Sequence, residues 1–588
     1  MIQRRTAFCT GLAALALCIA IVPAFYVNLI AYIGLYSLVA VGLVLLTGVA
    51  GVTSFGQAAF VGIGAYATAA LTALLGWSPW MGLLASLAFS GVSALVLGLI
   101  TFRLSGHYLA LGTMSWGLGL YYMMGNFEAL GGHTGIAGVP RLPWQWLYAH
   151  AGRAYCALIW VVAVAFIVAV ERMLASRKGR AIRALKTGQQ MAESFGVNTY
   201  WLKVQIFTLT GLAAGLSGWL YAHYIGFVNP TPFGIYFSIE YLFMAVLGGA
   251  GYVWGAVVGA TAITLLRHLL QDLLPKVLGS AGNFDIVVLG AILMFVLHRA
   301  RNGIAPWLAR RIHAPRLAVP SRLSRLMPRR PPGASGRPLL ELEHVTRRFG
   351  GLVAVNDLSF SMQEGEILGL IGPNGAGKST TFNLITNVLA TSAGSVRYRG
   401  RRIDSIGMRA VARMGIARTF QHVQIVPGMT VLENVALGAY LHGGKGLAAA
   451  ALRLDRAEEA GLLAAAAAQI RRVGLEEKMH EPAGSLALGQ QRLVEVARAL
   501  VPAPSLLLLD EPAAGLRHLE KQQLASLLKN LRAEGVSILL VEHDMDFVMN
   551  LVDNLVVMSF GQKLACGTPR EIRSNPAVIE AYLGGEAA

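Results

Sequence analysis

The run Ile367-Leu-Gly-Leu-Ile371 followed by Gly372-Pro373-Asn374-Gly375-Ala376-Gly377-Lys378-Ser379-Thr380 decides the reading of this chain. A short apolar strand, a glycine loop and a helix opening on Lys-Ser is the context that the G-x-x-x-x-G-K-S/T motif requires. The glycines let backbone N–H groups turn inward around phosphate oxygens, and the helix N-terminus adds its positive dipole end. Lys378 then reaches the terminal phosphates and Ser379 is available to magnesium, so this half of the chain reads as a nucleotide-binding α/β domain.

What lies upstream is of a different kind. The chain has 588 residues, 55% hydrophobic and only 14% charged, which is too apolar for an ordinary soluble protein. Before residue 300 the only acids are Glu128, Glu171, Glu193, Glu240, Asp272 and Asp285. Apolar windows of spanning length fall near residues 8–26, 28–48, 55–75, 80–102, 107–125, 154–171, 203–225, 234–249, 252–270 and 282–298. Arg4 and Arg5, the basic loop 172–203 and the arginines after residue 297 all belong on the cytoplasmic side by the positive-inside rule. Each interval between them must then hold an even number of crossings, and ten spans, six and then four, satisfy that. The first window is expected to be an uncleaved helix rather than a signal peptide.

The net charge of +18 does not point to nucleic acid, because residues 299–337 hold ten arginines and no acid directly after the last apolar window. With prolines at 306, 315, 320, 328, 331, 332 and 338, this reads as a membrane-surface flank against anionic lipid, continuing as a linker. The expected domains are a polytopic α-helical membrane domain of about ten helices over 1–300, an Arg/Pro-rich linker over 301–338 and an ATPase domain over 339–588. Cys9, Cys18, Cys156 and Cys566 show no paired spacing and indicate no disulfide framework.

Two places in the membrane half are dense in glycine, residues 48–64 and 248–251. Such segments line cavities or pack helices closely, and both readings stand. Glu240 is costly in a bilayer unless it serves a function or lies at an interface. His107, His133 and His223 are isolated and read as structural.

Residues 45–71, 103–140, 221–230 (YAHYIGFVNP) and 244–260 (MAVLGGAGYVWGAVVGA) resemble the permease subunits of high-affinity branched-chain amino acid importers. The loop 179–198 resembles the cytoplasmic segment by which such permeases press a short helix into a groove on the ATPase. Ile182 and Phe195 are its expected docking residues.

From residue 339 the chain is similar to an ABC-type ATPase, and the roles that follow are those the resemblance implies. Phe349, 29 residues before Lys378, matches the aromatic that stacks on adenine. Gln421 matches the glutamine that reaches magnesium and the attacking water. Leu506-Leu-Leu-Leu-Asp510-Glu511 reads as a buried strand ending in two carboxylates. Asp510 would orient magnesium through its water shell and Glu511 would act as general base. His543, after the apolar run 537–541, matches the switch histidine that contacts the γ-phosphate. Magnesium would be held by Ser379, Gln421 and Asp510, partly through water. The signature reads Leu486-Ala487-Leu488-Gly489-Gln490, with Ala487 in place of the usual serine, and it would face the ATP of a second ATPase domain. Arg517 stands where the family has Asp or Asn.

The resemblance implies an ATP- and magnesium-dependent importer subunit of a bacterial inner membrane, a fused permease and ATPase for branched-chain or related amino acids. A second permease and ATPase, in a hetero-complex or a homodimer, and an extracytoplasmic binding protein are the implied partners. Urea, amides or other small polar solutes are the alternative substrates. An exporter or flippase, and a signalling ATPase without transport, are the rival functions.

Overall fold

The computed structural model describes residues 2–104, 106–278, 284–299, 303–305, 307 and 338–583. Most of the expected 301–338 linker lies outside the described residues. The chain divides into two compact units, one of Met1–Leu174 and Tyr200–Pro315, the other of Ala175–Thr199 and Arg316–Ala588. The second unit thus takes a segment from the middle of the membrane half.

The helices of that half are α1 (Ile2–Ile21), α2 (Ala24–Leu43), α3 (Gln57–Ala69), α4 (Pro79–Thr101), α5 (His107–Asn126) and α6 (Ala149–Leu174). There follow α7 (Arg177–Thr187) and α8 (Gln189–Ser194), which belong to the second unit, then α9 (Thr199–Ile225), α10 (Ile235–Gly249), α11 (Gly255–Leu278) and α12 (Phe284–Arg299). Among the described residues, five stretches are long and apolar enough to cross a membrane: Ala24–Val49, Gln57–Leu74, Pro79–Thr101, Gly152–Leu174 and Gly255–Lys276. At 15 residues, α10 reaches only about 22 Å at 1.5 Å per residue, short of a hydrocarbon core of about 30 Å. Of the ten expected windows, five (28–48, 55–75, 80–102, 154–171 and 252–270) coincide with those five stretches among the described residues.

Both glycine-dense places are packing sites. A Cβ at Gly248 would overlap the Gly255 carbonyl and one at Gly259 the Met244 carbonyl, so α10 and α11 touch backbone to backbone. The turn between them depends on Gly249, whose φ of 122° an L side chain rarely adopts. Gly48 meets the backbone of Ala250 in the same way, which joins the first glycine cluster to the second. Small residues at such contacts let dispersion and backbone proximity hold helices together where lipid offers no hydrophobic drive. Glu240, 4% exposed, is paired with Arg267 at 3.2 Å. His223 is buried with its Nδ1 2.7 Å from the Pro140 carbonyl, a structural contact. A two-residue ribbon, β1 (Ile136–Ala137) against β2 (Phe227–Val228), completes this unit.

The second unit holds two sheets. β3 (Leu340–Phe349), β4 (Leu352–Met362), β6 (Ala393–Tyr398) and β7 (Arg401–Arg402) form an antiparallel sheet in the order β4-β3-β6-β7. β5 (Ile367–Ile371), β8 (Ile416–Arg418), β9 (Leu506–Asp510), β10 (Ser537–Val541), β11 (Asn554–Ser559) and β12 (Gln562–Gly567) run in the order β12-β11-β5-β10-β9-β8. All neighbours in this sheet are parallel except β12 on β11. Its central strands are near-continuous apolar runs because both faces are covered. Ile367, Leu507, Leu509, Ile538 and Leu540 enter a core shared with helices Val431–Ala436, Arg456–Arg472 and Leu488–Leu500. Leu368, Leu506, Leu508 and Leu539 enter the other core, with the antiparallel sheet. That alternation is the period of two of a strand.

The Ala-rich stretch between residues 441 and 473 is helical over Leu447–Ala451 and Arg456–Arg472. It breaks at Arg453, where φ is 60°.

Candidate nucleotide-binding site

Register builds the site. Val541 of β10 lies opposite Leu370 of β5 on one side and Asp510 of β9 on the other. The loop 372–377, Glu511 and the pair Glu542–His543 therefore leave the carboxyl edge of three adjacent parallel strands at one level, where open α/β sheets hold their ligands.

The phosphate loop takes the backbone its glycines allow, with φ of 154°, 83° and 97° at Gly372, Gly375 and Gly377. At Gly372 a Cβ would overlap the Met558 carbonyl, and at Gly377 that of Ala354. Pro373, Asn374, Gly375 and Ala376 complete the turn. Lys378 opens the helix Lys378–Ile385, with Ser379 and Thr380 in its first turn. The Lys378 ammonium donates to the carbonyls of Gly372 at 2.7 Å and Pro373 at 2.9 Å. Burial pulls its pKa down, and the nearby Glu511 and Asp510 carboxylates push it back up.

Asp510 is 2% exposed and its carboxyl is pushed up to about 6, chiefly by burial, with Arg418 pulling the other way. Its Oδ1 is buried without a hydrogen-bond partner. A buried acceptor of this kind is costly unless something satisfies it, and a hydrated cation would do so. The residues present fit magnesium.

Glu511 has a φ of 50°, in the left-handed region that a glutamate rarely enters. Its N–H donates to the Val541 carbonyl at 2.9 Å. One carboxylate oxygen, Oε1, lies 2.8 Å from His543 Nε2 and accepts from Gln421 Nε2 at 3.4 Å. The three residues expected to share the hydrolytic step are thus brought to one atom, on a backbone held in an unfavourable conformation.

Gln421 is placed from behind. Arg492 donates to the carbonyls of Phe420, at 2.7 Å, and of Gln421 itself. Arg418 lies over the Phe420 ring at 4.5 Å and donates to Asn383 and Thr386.

The signature residues gather around the loop that follows Glu511. Ala487 is the N-cap of Leu488–Leu500 and offers no side-chain oxygen. A Cβ on Gly489 would lie 2.9 Å from Leu516 and 3.0 Å from the Gly515 carbonyl. Gln490 accepts from Lys478 at 2.9 Å, Leu486 is buried and Leu488 is exposed. The Arg517 N–H donates to Glu520 at 2.8 Å, so this residue serves the start of its own helix. Phe349 ends β3, 42% exposed, with the Arg347 guanidinium 4.7 Å from its ring centre.

Sequence reading passes over an acid at the strand edge. Glu542, 3% exposed, accepts from the N–H of Ala513 at 2.6 Å and of His543 at 3.1 Å. It ties the loop after Glu511 to the strand end that carries His543. The signal was present as an acid directly after an apolar strand, the pattern that marked Asp510.

The segment Ala175–Thr199 packs against the same unit. Ile182 and Phe195 are both buried. Arg180 pairs with Glu459, Arg183 with Glu433 at 3.0 Å, and Arg177 donates to the carbonyls of Tyr440 and Lys445. Gly196, at φ 84°, fits against Leu441 where a Cβ would not.

Comparison with known proteins agrees in both halves. Residues 25–297 match the family described as branched-chain amino acid transport system / permease component. Residues 355–514 match ABC transporter, and residues 562–588 match branched-chain amino acid ATP-binding cassette transporter. The high-affinity branched-chain amino acid transport ATP-binding protein LivG of Salmonella typhimurium is 44% identical over 251 residues, 42% of this chain and 98% of that protein. BraF of Pseudomonas aeruginosa, of the same description, is 42% identical over the same shares. A crystal structure of a nucleotide-free ATP-binding cassette from an ABC transporter shares 32% identity over 42% of this chain and 99% of its own, with a TM-score of 0.38.

Proposed function

We infer the function from one premise: this chain belongs to the family of branched-chain amino acid ABC transporters, with a permease domain and an ATPase domain fused in one polypeptide. It couples ATP hydrolysis to the transport of branched-chain amino acids. The observation that carries the chemistry is the meeting of Gln421 and His543 on one oxygen of Glu511, at the strand edge that bears the phosphate loop.

In this reading Lys378 and the N–H groups of residues 374–380 hold the phosphates, and Phe349 stacks on the base. Glu511 takes the proton of the attacking water while His543 fixes the carboxylate and faces the γ-phosphate. Ser379 would hold magnesium, with Asp510 and Gln421 contributing partly through water, and the ion supplies positive charge to the phosphate oxygens. The signature around Gly489 presents a helix N-terminus to the nucleotide of a second ATPase domain.

The direction is inward across a bacterial inner membrane, by about ten crossings. A second permease and ATPase complete the machine, in a hetero-complex or a homodimer, and an extracytoplasmic binding protein delivers the substrate. The segment Ala175–Thr199 is the coupling element, supported by its ion pairs to Glu433 and Glu459. ATP closes the ATPase pair because it binds that state more tightly, and the coupling segments pass the closure to the permeases.

The test is uptake of labelled leucine, isoleucine and valine by native-host cells carrying this chain or Glu511→Gln, with urea as competitor. Glu511-dependent uptake that branched-chain amino acids block supports the reading. Uptake blocked by urea moves the substrate class. Scrambling residues 183–198 should abolish uptake while ATP hydrolysis continues, and normal uptake by that variant removes the coupling assignment.

A further inference from the structure

The helix Leu488–Leu500 carries three charged side chains that are almost wholly enclosed. Glu495 and Arg498 are each 1% exposed and Arg492 is 8% exposed. Glu495 accepts from Arg498 at 3.3 Å and lies 3.8 Å from Arg492. Several of their polar atoms are buried with no hydrogen-bond partner: Arg492 Nε, Glu495 Oε2, and Arg498 Nε and Nη1. Apolar residues of similar volume would generally be no worse for stability, because desolvation offsets most of the attraction in a buried ion triad.

What the triad touches gives it a use. Arg492 holds the carbonyls of Phe420 and Gln421. Glu495 accepts the Gln424 N–H at 2.9 Å, at the far side of the same loop. Arg498, at the other end, places its guanidinium 5.2 Å from the centre of the Phe195 ring. Phe195 belongs to the segment Ala175–Thr199 and is itself 3% exposed. An unbroken line of contacts therefore runs from that segment to the backbone of Gln421, whose side chain meets Glu511.

We propose that Arg492, Glu495 and Arg498 are positioning residues that transmit the placement of Phe195 to Gln421, so that the segment between α6 and α9 governs the hydrolytic step. The proposal rests on the coupling role assigned to that segment. A shift of the Phe195 ring changes the seat of Arg498, which moves Glu495 and with it both ends of the loop 420–424. Burial pushes the Glu495 carboxyl up, with Arg498, the Gln424 N–H and Arg492 pulling the other way.

The test uses hydrogen exchange on the full-chain complex purified from native-host membranes, together with steady-state hydrolysis of Mg-ATP. Phe195→Tyr keeps an aromatic face for Arg498, while Phe195→Leu and Phe195→Met keep apolar bulk without one. In the Leu and Met variants the amides of residues 421–424 should exchange about fivefold faster, the weight of one buried cation–π contact. Their kcat should fall by a similar factor with KM for ATP unchanged, and Phe195→Tyr should match the wild type in both readouts. Protection and kcat unchanged in the Leu and Met variants, or lost equally in all three, would overturn the relay. Failure of the coupling role shows separately, as normal uptake when residues 183–198 are scrambled, whatever the exchange at residues 421–424.

Discussion

Glu511 and His543 meet through a single carboxylate oxygen, Oε1 to Nε2 at 2.8 Å, although 32 residues separate them in the chain. The contact exists because β9 and β10 are parallel neighbours in register, Val541 opposite Asp510, so each residue leaves its strand at the same height. Glu511 takes a φ of 50° there, in the left-handed region.

Glu511→Gln keeps that shape and removes the base. ATP turnover in the purified complex should fall by about 10²–10⁴-fold, the usual contribution of a positioned general base. ATP binding should be retained, since the phosphate loop is untouched. Phosphate release and nucleotide binding measured on the same preparation check both halves, and unchanged release would remove Glu511 from the role.

Asp510 gives a pH dependence of definite sign. Its carboxyl is pushed up to about 6 by burial, above the value of about 4 expected in an unfolded chain. The folded state then holds the extra proton between those values, so the ATP-free protein loses stability as pH rises through that window. Asp510→Asn removes the buried charge. Its melting temperature at pH 7.5 should exceed the wild type by on the order of 5 °C, with the gap closing by pH 4, while Mg-ATP hydrolysis is lost. A melting temperature below wild type at pH 7.5 would contradict this account.

Strand-loop-helix at residues 367–385, the apolar strand before Asp510, and the histidine after residues 537–541 were legible because backbone chemistry dictates those residue types at those places. Glu542 carries the same strand-end signal as Asp510, but beside His543 it reads as an ordinary exposed charge. The burial of Arg492 and Arg498 was hidden for a related reason: helix arginines normally lie in water, and only tertiary packing encloses these. The glycines at 248–251 signalled a break between α10 and α11. Sequence could not show that Gly48 would meet Ala250, a contact made by residues 202 positions apart.

The α10–α11 contact predicts a sharp asymmetry among glycines of the membrane half. At Gly259 a Cβ would fall on the Met244 carbonyl, whereas at Gly119 nothing lies within 4 Å. Gly259→Leu should lower the melting temperature of the detergent-extracted protein, because overpacking a close contact costs about 1–3 kcal/mol or more. Gly119→Leu should leave it unchanged. Equal melting of the two variants would mean that the backbones are not held together by the small residue.

Arg180 and Glu459 provide the sharpest test of how the segment Ala175–Thr199 is held. The Arg180 side chain is 2% exposed and that of Glu459 is 15% exposed, so Arg180 would lose its carboxylate in a buried place if Glu459 were removed, and Glu459 would keep only the Arg177 N–H at 3.0 Å if Arg180 were. Breaking such a pair from one side costs about 3–5 kcal/mol, much of it the desolvation of the survivor. Arg180→Glu places two carboxylates together and should abolish leucine uptake, with protease cleavage within residues 175–199 rising sharply. Glu459→Arg alone should do the same. Combining the two restores opposite charges at the contact, and the double variant should recover uptake and protection to well above either single change. Losses that simply add in the double variant would show that the two side chains do not act as a pair.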